Sequence, residues 1–124
     1  MKHITKIGKW CFTSVFAVFG LLHFGPLQFS LPYVPAYLPF PAFWVYFSGL
    51  CLIAFSVSAW WGRLDKLAAY CLAVMMLLFI LLIHIPGAIA GDFIQTIGIF
   101  RDAAMMGAAL MYAEKYAKDT RYVH

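Results

Sequence analysis

The sequence predicts an all-α membrane protein, an antiparallel four-transmembrane-helix bundle with both termini cytoplasmic. Three observations carry that reading. The chain has 124 residues, 65% of them hydrophobic and 11% charged, whereas soluble domains hold about 45–50% apolar and about 25% charged residues. Leu67–Ile85 runs for nineteen residues with His84 as its one basic or acidic side chain, and roughly 20 apolar residues cross a hydrocarbon core. Lys2, Lys6, Lys9, Arg63, Lys66, Lys115, Lys118 and Arg121 fall on one side of a four-span arrangement, and Arg101 alone falls toward the other. By the positive-inside rule the crowded side is cytoplasmic.

Helix one is expected over about 8–28. A basic lead, Met1–Lys9, precedes the apolar run from Trp10 to Phe24. No small-x-small cleavage site follows; Phe24-Gly25-Pro26-Leu27 does, so the run reads as a retained span in an inner (plasma) membrane, multi-pass protein. Thr13, Ala17, Gly20 and His23 lie three or four residues apart and share one helix face. Such a small and polar stripe marks the face turned to other helices.

Residues 25–41 hold Pro26, Pro32, Pro35, Pro39 and Pro41 and no charge. Proline removes backbone donors and breaks helices, so this is a connector. Tyr33, Tyr37, Phe40 and Trp44 suit a membrane–water boundary, where the connector can lie over whatever is beneath.

Helix two is expected over 42–61, and the turn Gly62–Lys66 makes helices two and three antiparallel neighbours. Helix three is expected over 66–85, stopped by His84-Ile85-Pro86-Gly87. Helix four is expected over about 96–113, after a loop that includes Phe93-Ile94-Gln95. Ala103/Gly107 and Ala104/Ala108 give it two stripes for close packing. The whole chain reads as one integral membrane domain.

Helical rise sets the depth of each polar side chain. From the cytoplasmic face, His23 is about 21 Å in, His84 about 27 Å, Asp102 about 18 Å and Arg101 about 20 Å. On helix two the same level falls near Tyr46 and Ser48. The outward half thus gathers polar groups and the inward half is apolar. Buried ionisable groups in a membrane cost about 2.5–3.5 kcal/mol each and therefore pair or face water. Two arrangements answer that need. In one, Asp102 is satisfied by His23 or Tyr46 in a structural network, with Arg101 reaching toward the outer headgroups. In the other, a ligand pocket lies beneath the Pro-rich connector. His23 and Asp102 are then the candidate catalytic residues, as proton carriers, and Tyr46, Ser48, His84 and Arg101 the candidate ligand-binding residues.

A quinone suits such a slot, which is apolar with a few polar groups at the carbonyl oxygens. Haem with His23 and His84 as axial ligands is the lesser alternative, since the two depths differ by about 6 Å. A metal centre is not expected, because His23, His84 and Asp102 have no second carboxylate beside them. Cys11, Cys51 and Cys71 form no CxxC and read as small apolar residues. Without a nucleotide-binding loop or Cys motif, redox work needs an electron-supplying partner. The net charge of +4 reflects topology, and no nucleic-acid partner is expected. Homo-oligomerisation is the other association considered.

Several short stretches also resemble the DoxX-like membrane proteins. They are Gly20-Leu-Leu-His23-Phe24, Pro35-Ala36-Tyr37-Leu38-Pro39, Tyr46-Phe47-Ser48-Gly49, the Arg63…Leu67-Ala68 turn, His84-Ile85-Pro86 and Arg101–Leu110. That resemblance implies a four-helix inner-membrane protein and, as in some relatives, a subunit of a quinone-linked oxidoreductase. A non-catalytic accessory membrane protein, or a small-molecule binder or transporter, is the alternative reading, in which Arg101, Asp102 and His23 recognise a polar head or hold the helices together. Many such proteins carry a Glu shortly after the helix-two Gly, where this chain has Leu50, Cys51 and Leu52.

Overall fold

The computed structural model describes residues 2–29, 31–34 and 36–120. Pro35 of the connector and Arg121 of the basic tail lie outside them, as does the side chain of Tyr33. Among the described residues the chain is all helical, with no strand: α1 (Lys2–Leu22), α2 (Pro41–Trp61), α3 (Asp65–Phe79), a π-helical turn (Ile80–His84), α4 (Ile85–Ile89) and α5 (Phe93–Lys115). Two short 3₁₀ turns, Leu27–Phe29 and Leu31–Tyr33, sit in the connector.

Helix α1 starts and stops earlier than the 8–28 expected. Its last turn tightens, with His23, Phe24 and Gly25 N–H groups donating to Gly20, Leu21 and Leu22 at 3.1, 3.0 and 3.1 Å. Pro26 bars its predecessor from the helical region, so the helix cannot continue. His23 is thereby left at a helix end. Helix α2 opens with Pro41, where the missing N–H costs nothing. It closes at Gly62, whose φ of 78° only glycine adopts freely.

The expected stop at His84–Gly87 is corrected. Pro86 cannot donate to Leu82, and its ring would crowd that carbonyl. The chain answers by widening rather than ending: Ile80–His84 form a π turn and Ile85 N–H reaches back to Ile80 O. The helix then runs on to Ile89, so Asp65–Ile89 is one apolar stretch of 25 residues. Helix α5 begins before the expected residue 96 because Asp92 caps it, its side chain accepting from Ile94 N–H at 3.0 Å. Phe93–Gln95 are therefore helical, not loop.

Helix α1 packs on α2, α3 on α5, and α2 on α3. Phe16, Leu52, Phe55, Leu72, Met76, Ala109 and Tyr112 form the core. Phe16 and Phe55 meet edge to face at 5.4 Å, a favoured aromatic geometry. Helices α1 and α2 touch at two glycines. A Cβ on Gly20 would lie 2.7 Å from Gly49 O, and one on Gly49 would lie 2.6 Å from the Cβ of His23.

One end of the bundle is tied by polar groups. Ser56 Oγ donates to Thr13 O at 2.6 Å and Trp60 Nε1 to Thr13 Oγ1 at 3.1 Å. Fully buried Asp65 accepts from Tyr112 Oη at 2.9 Å and from the N–H groups of Lys118 and Asp119 at 2.8 Å each. Asp119 in return accepts from Leu64 N–H at 2.8 Å, which steadies a non-glycine residue at φ 58°.

Lys2–Leu22, Pro41–Trp61 and Asp65–Ile89 are long and apolar enough to cross a membrane. Helix α5 has the length, 23 residues, but Gln95, Arg101 and Asp102 dilute its apolar character.

Candidate functional site

The π turn and α5 together build a buried polar cluster. His84, at the end of the π turn, is 9% exposed, Gln95 6% and Asp102 2%. Gln95, Gly98 and Asp102 are three and four residues apart, so they form one stripe of α5. His84 lies along that stripe. Its Nδ1 meets Gln95 Oε1 at 2.6 Å and its Nε2 meets Asp102 Oδ2 at 2.9 Å. Gly98 leaves room between them for the imidazole. Gly87 does the same for Gln95, since a Cβ there would sit 2.4 Å from Gln95 Cγ.

The second carboxylate oxygen is also taken. Arg101 Nε donates to Asp102 Oδ1 at 3.1 Å while the guanidinium side chain stays 53% exposed. Adjacent residues of a helix point about 100° apart, but the arginine stem is long enough to fold back. This corrects two expectations: Asp102 is held by His84 and Arg101, not by His23 or Tyr46, and Arg101 pairs with its neighbour.

The hydrogen-bond directions constrain the protons. Gln95 Oε1 can only accept, so His84 Nδ1 carries a hydrogen. One further proton must then lie between Nε2 and Oδ2, on either His84 or Asp102. Either way, the cluster of arginine, aspartate and histidine carries one net positive charge. No buried side-chain N or O atom lacks a partner among the described residues.

This cluster borders a cavity of about 630 Å³. Phe19 of α1 and His23 just beyond its end, Trp44, Phe47 and Ser48 of α2, and Met75, Phe79 and Leu82 of α3 and the π turn line it with His84, Gln95, Arg101 and Asp102. Val34 and Leu38 of the Pro-rich connector close one side. Trp44 Nε1 donates to Pro39 O at 2.8 Å, fastening connector to helix. The walls are otherwise apolar.

Each candidate residue has a definite place. His84, Asp102 and Arg101 meet in the cluster. His23 and Ser48 line the cavity. His23 Nδ1 donates to Phe19 O at 2.7 Å, which leaves Nε2 as the acceptor nitrogen of the neutral ring. Tyr46 is not brought in: it is 39% exposed and stacks on Phe24 with centroids 5.5 Å apart. Gln95 was not expected, because it reads as loop. Its seven-residue spacing from Asp102, two helical turns, is the signal that places both on one face. Asp65 reads as a surface turn residue and is instead a buried tie. No group of three His, Cys, Asp or Glu able to hold a metal occurs among the described residues.

A family model described as Domain of unknown function (DUF8561) matches residues 12–93, more than half of the chain. The chain belongs to that family. No curated protein and no solved structure matches it. The DUF8561 span takes in His23, the connector, Ser48 and His84. It ends before Gln95, Arg101 and Asp102, so the cluster is completed by residues beyond the matched region.

Proposed function

We propose that this protein is a multi-pass inner-membrane protein that binds a quinone, or a similar lipophilic ligand with carbonyl oxygens, in the 630 Å³ cavity. The supporting observation is a hydrogen-bonded His84–Asp102–Arg101 cluster opening onto an otherwise apolar cavity. Ligand pockets are typically about 300–1,000 Å³ and apolar with a few polar groups, so head and first tail segment fit. In this reading all four long helices span, antiparallel, with both termini cytoplasmic. Lys9 lies over Tyr112, and the backbone N–H of Lys118 bonds Asp65 of the turn that carries Arg63 and Lys66, which gathers the basic residues of three segments at one end. In this reading helix α5 can span because Arg101 and Asp102 pair within it.

A quinone supplies two-electron, two-proton chemistry at its carbonyls. The chain's own residues supply position and protons. Arg101 has guanidinium donors beyond Nε for a carbonyl oxygen, and Ser48 can donate from across the cavity. His84 and Asp102 hold a proton between Nε2 and Oδ2, and His23 Nε2 can accept one. Trp44, Phe47 and the connector keep water out. Both ring nitrogens of His84 are engaged, so this arrangement favours a quinone over a haem that needs a histidine lone pair. In this reading electrons come from a protein partner, as in the quinone-linked oxidoreductases of which some DoxX-like proteins are subunits.

Trp44 is the only tryptophan among the lining residues, which gives the test. A short-chain quinone titrated into purified protein should quench part of the tryptophan fluorescence saturably, and Trp44→Phe should remove that part. Linear, non-saturable quenching identical in both proteins would reject the reading. A second reading has its own support: every buried polar atom in the cluster is satisfied within the protein, as a purely structural clasp of a non-catalytic accessory protein requires. That reading predicts no saturable quenching at all.

A further inference from the structure

The four long helices pack as two pairs, α1 on α2 and α3 on α5, with α2 and α3 joined through their hairpin. At the tied end the pairs are closed by aromatic rings: Phe12 lies 6.1 Å and Phe55 5.8 Å from the centroid of the Tyr112 ring. Toward the other end they part, and the 630 Å³ cavity lies between them. The π turn packs on α3, α4 and α5 but forms no packed interface with α2. A slit is therefore left between Ile80–His84 and the first turns of α2.

Three side chains show that this slit is a mouth and not a closed wall. Phe47 of α2, Leu78 of α3 and Leu82 of the π turn line the cavity and are also 40–47% exposed. Phe47 stacks on Phe43 at 5.8 Å and meets Trp44 edge to face at 6.3 Å, while the Trp44 indole is bonded to Pro39 O. Both rings are thus braced on the α2 side of the slit. Leu78 lies six residues before His84, about 9 Å nearer the middle of the bilayer in the four-span reading.

The opposite seam, between α1 and α5, differs in chemistry. There Leu22 and Arg101 line the cavity and are exposed. An alkyl chain drawn past the guanidinium would strip solvation from a charge, which costs free energy. Past Phe47, Leu78 and Leu82 the chain exchanges lipid contacts for side chains of the same polarity, at almost no cost.

We infer that the cavity takes a membrane-dissolved lipid with a long isoprenoid or alkyl chain, which enters sideways and keeps that chain in the slit between α2 and the π turn. The head stays beside His84 and Arg101, and the chain descends past Leu82 and Leu78 into the bilayer. This rests on the quinone reading for the head and adds the class of chain and its route.

The test is photolabelling of the full-length protein in phosphatidylcholine vesicles, with a quinone whose alkyl chain carries a diazirine close to the head. Peptide mapping should place the label on Phe47, Leu78 and Leu82, and excess unlabelled long-chain quinone should abolish it. Leu82→Trp, which narrows the slit from a half-exposed position, should lose most of that label. The wild-type map decides the matter even where this variant folds poorly. Displaceable label on Leu22 and Met105 instead overturns the route and leaves the quinone reading standing, as does full labelling of Leu82→Trp. Label that unlabelled quinone does not displace overturns both.

Discussion

Gly98 of α5 lies flat against the imidazole of His84: a Cβ at position 98 would sit 2.7 Å from Nδ1 and 2.9 Å from Cε1. The ring is held from both nitrogens, so it cannot move aside without surrendering Gln95 or Asp102. Gly98→Val should therefore destabilise the fold by about 1–3 kcal/mol through overpacking, and should abolish saturable quenching by quinone. Denaturation in mixed micelles reads the first effect and Trp44 fluorescence the second. Wild-type values for both would show that the close approach is not needed.

Asp65 offers a stability prediction with no functional component. Asp65→Ala strands Tyr112 Oη and the N–H groups of Lys118 and Asp119, each orphaned donor costing about 1–3 kcal/mol where it stays dry. The variant should lose about 3 kcal/mol, and trypsin should cut faster after Lys115 and Lys118. Quinone quenching in the fraction that remains folded should be unchanged.

Pro86 is the covalent reason for the π turn. With Pro86→Ala an ordinary helix becomes allowed, and closing the extra residue turns the following segment by about 100°. His84 should then swing away from Asp102, which ring-nitrogen NMR shifts would register as loss of a strong hydrogen bond. Unchanged shifts would mean that packing on α5, not proline, sets the turn.

Much of this architecture is legible in the sequence, and each departure from it has its own physical reason. Apolar length locates the three helices suited to a membrane, and spacing puts Thr13 and Gly20 on a face turned to another helix, which is α2. Charge spacing alone could not foretell that Arg101 folds back on Asp102, because that depends on stem flexibility and on what else occupies the cavity. Gln95 was hidden by the Gly91-Asp92 punctuation, which reads as loop until Asp92 is seen as a cap. The π turn reads as a stop in the sequence, since proline ends most helices and widens few. Depth alone places Tyr46 at the site, and depth says nothing about which way a ring turns.

The orientation has its own test. Leu64 and Lys118 adjoin the same Asp65–Asp119 tie, so single cysteines at 64 and 118 in a cysteine-free background should react with a membrane-impermeant thiol reagent from the same face. Reaction from opposite faces would remove the four-span arrangement.

The most direct test of a quinone site beside His84 and Asp102 is photo-crosslinking with a short-chain azidoquinone, followed by peptide mapping. Label should fall on Trp44–Ser48 and on Phe79–His84, be displaced by unlabelled quinone, and drop sharply in Asp102→Asn, which keeps the side-chain shape but not the charge. Label confined to the lipid-facing residues, or unaffected by unlabelled quinone and by Asp102→Asn, would contradict it.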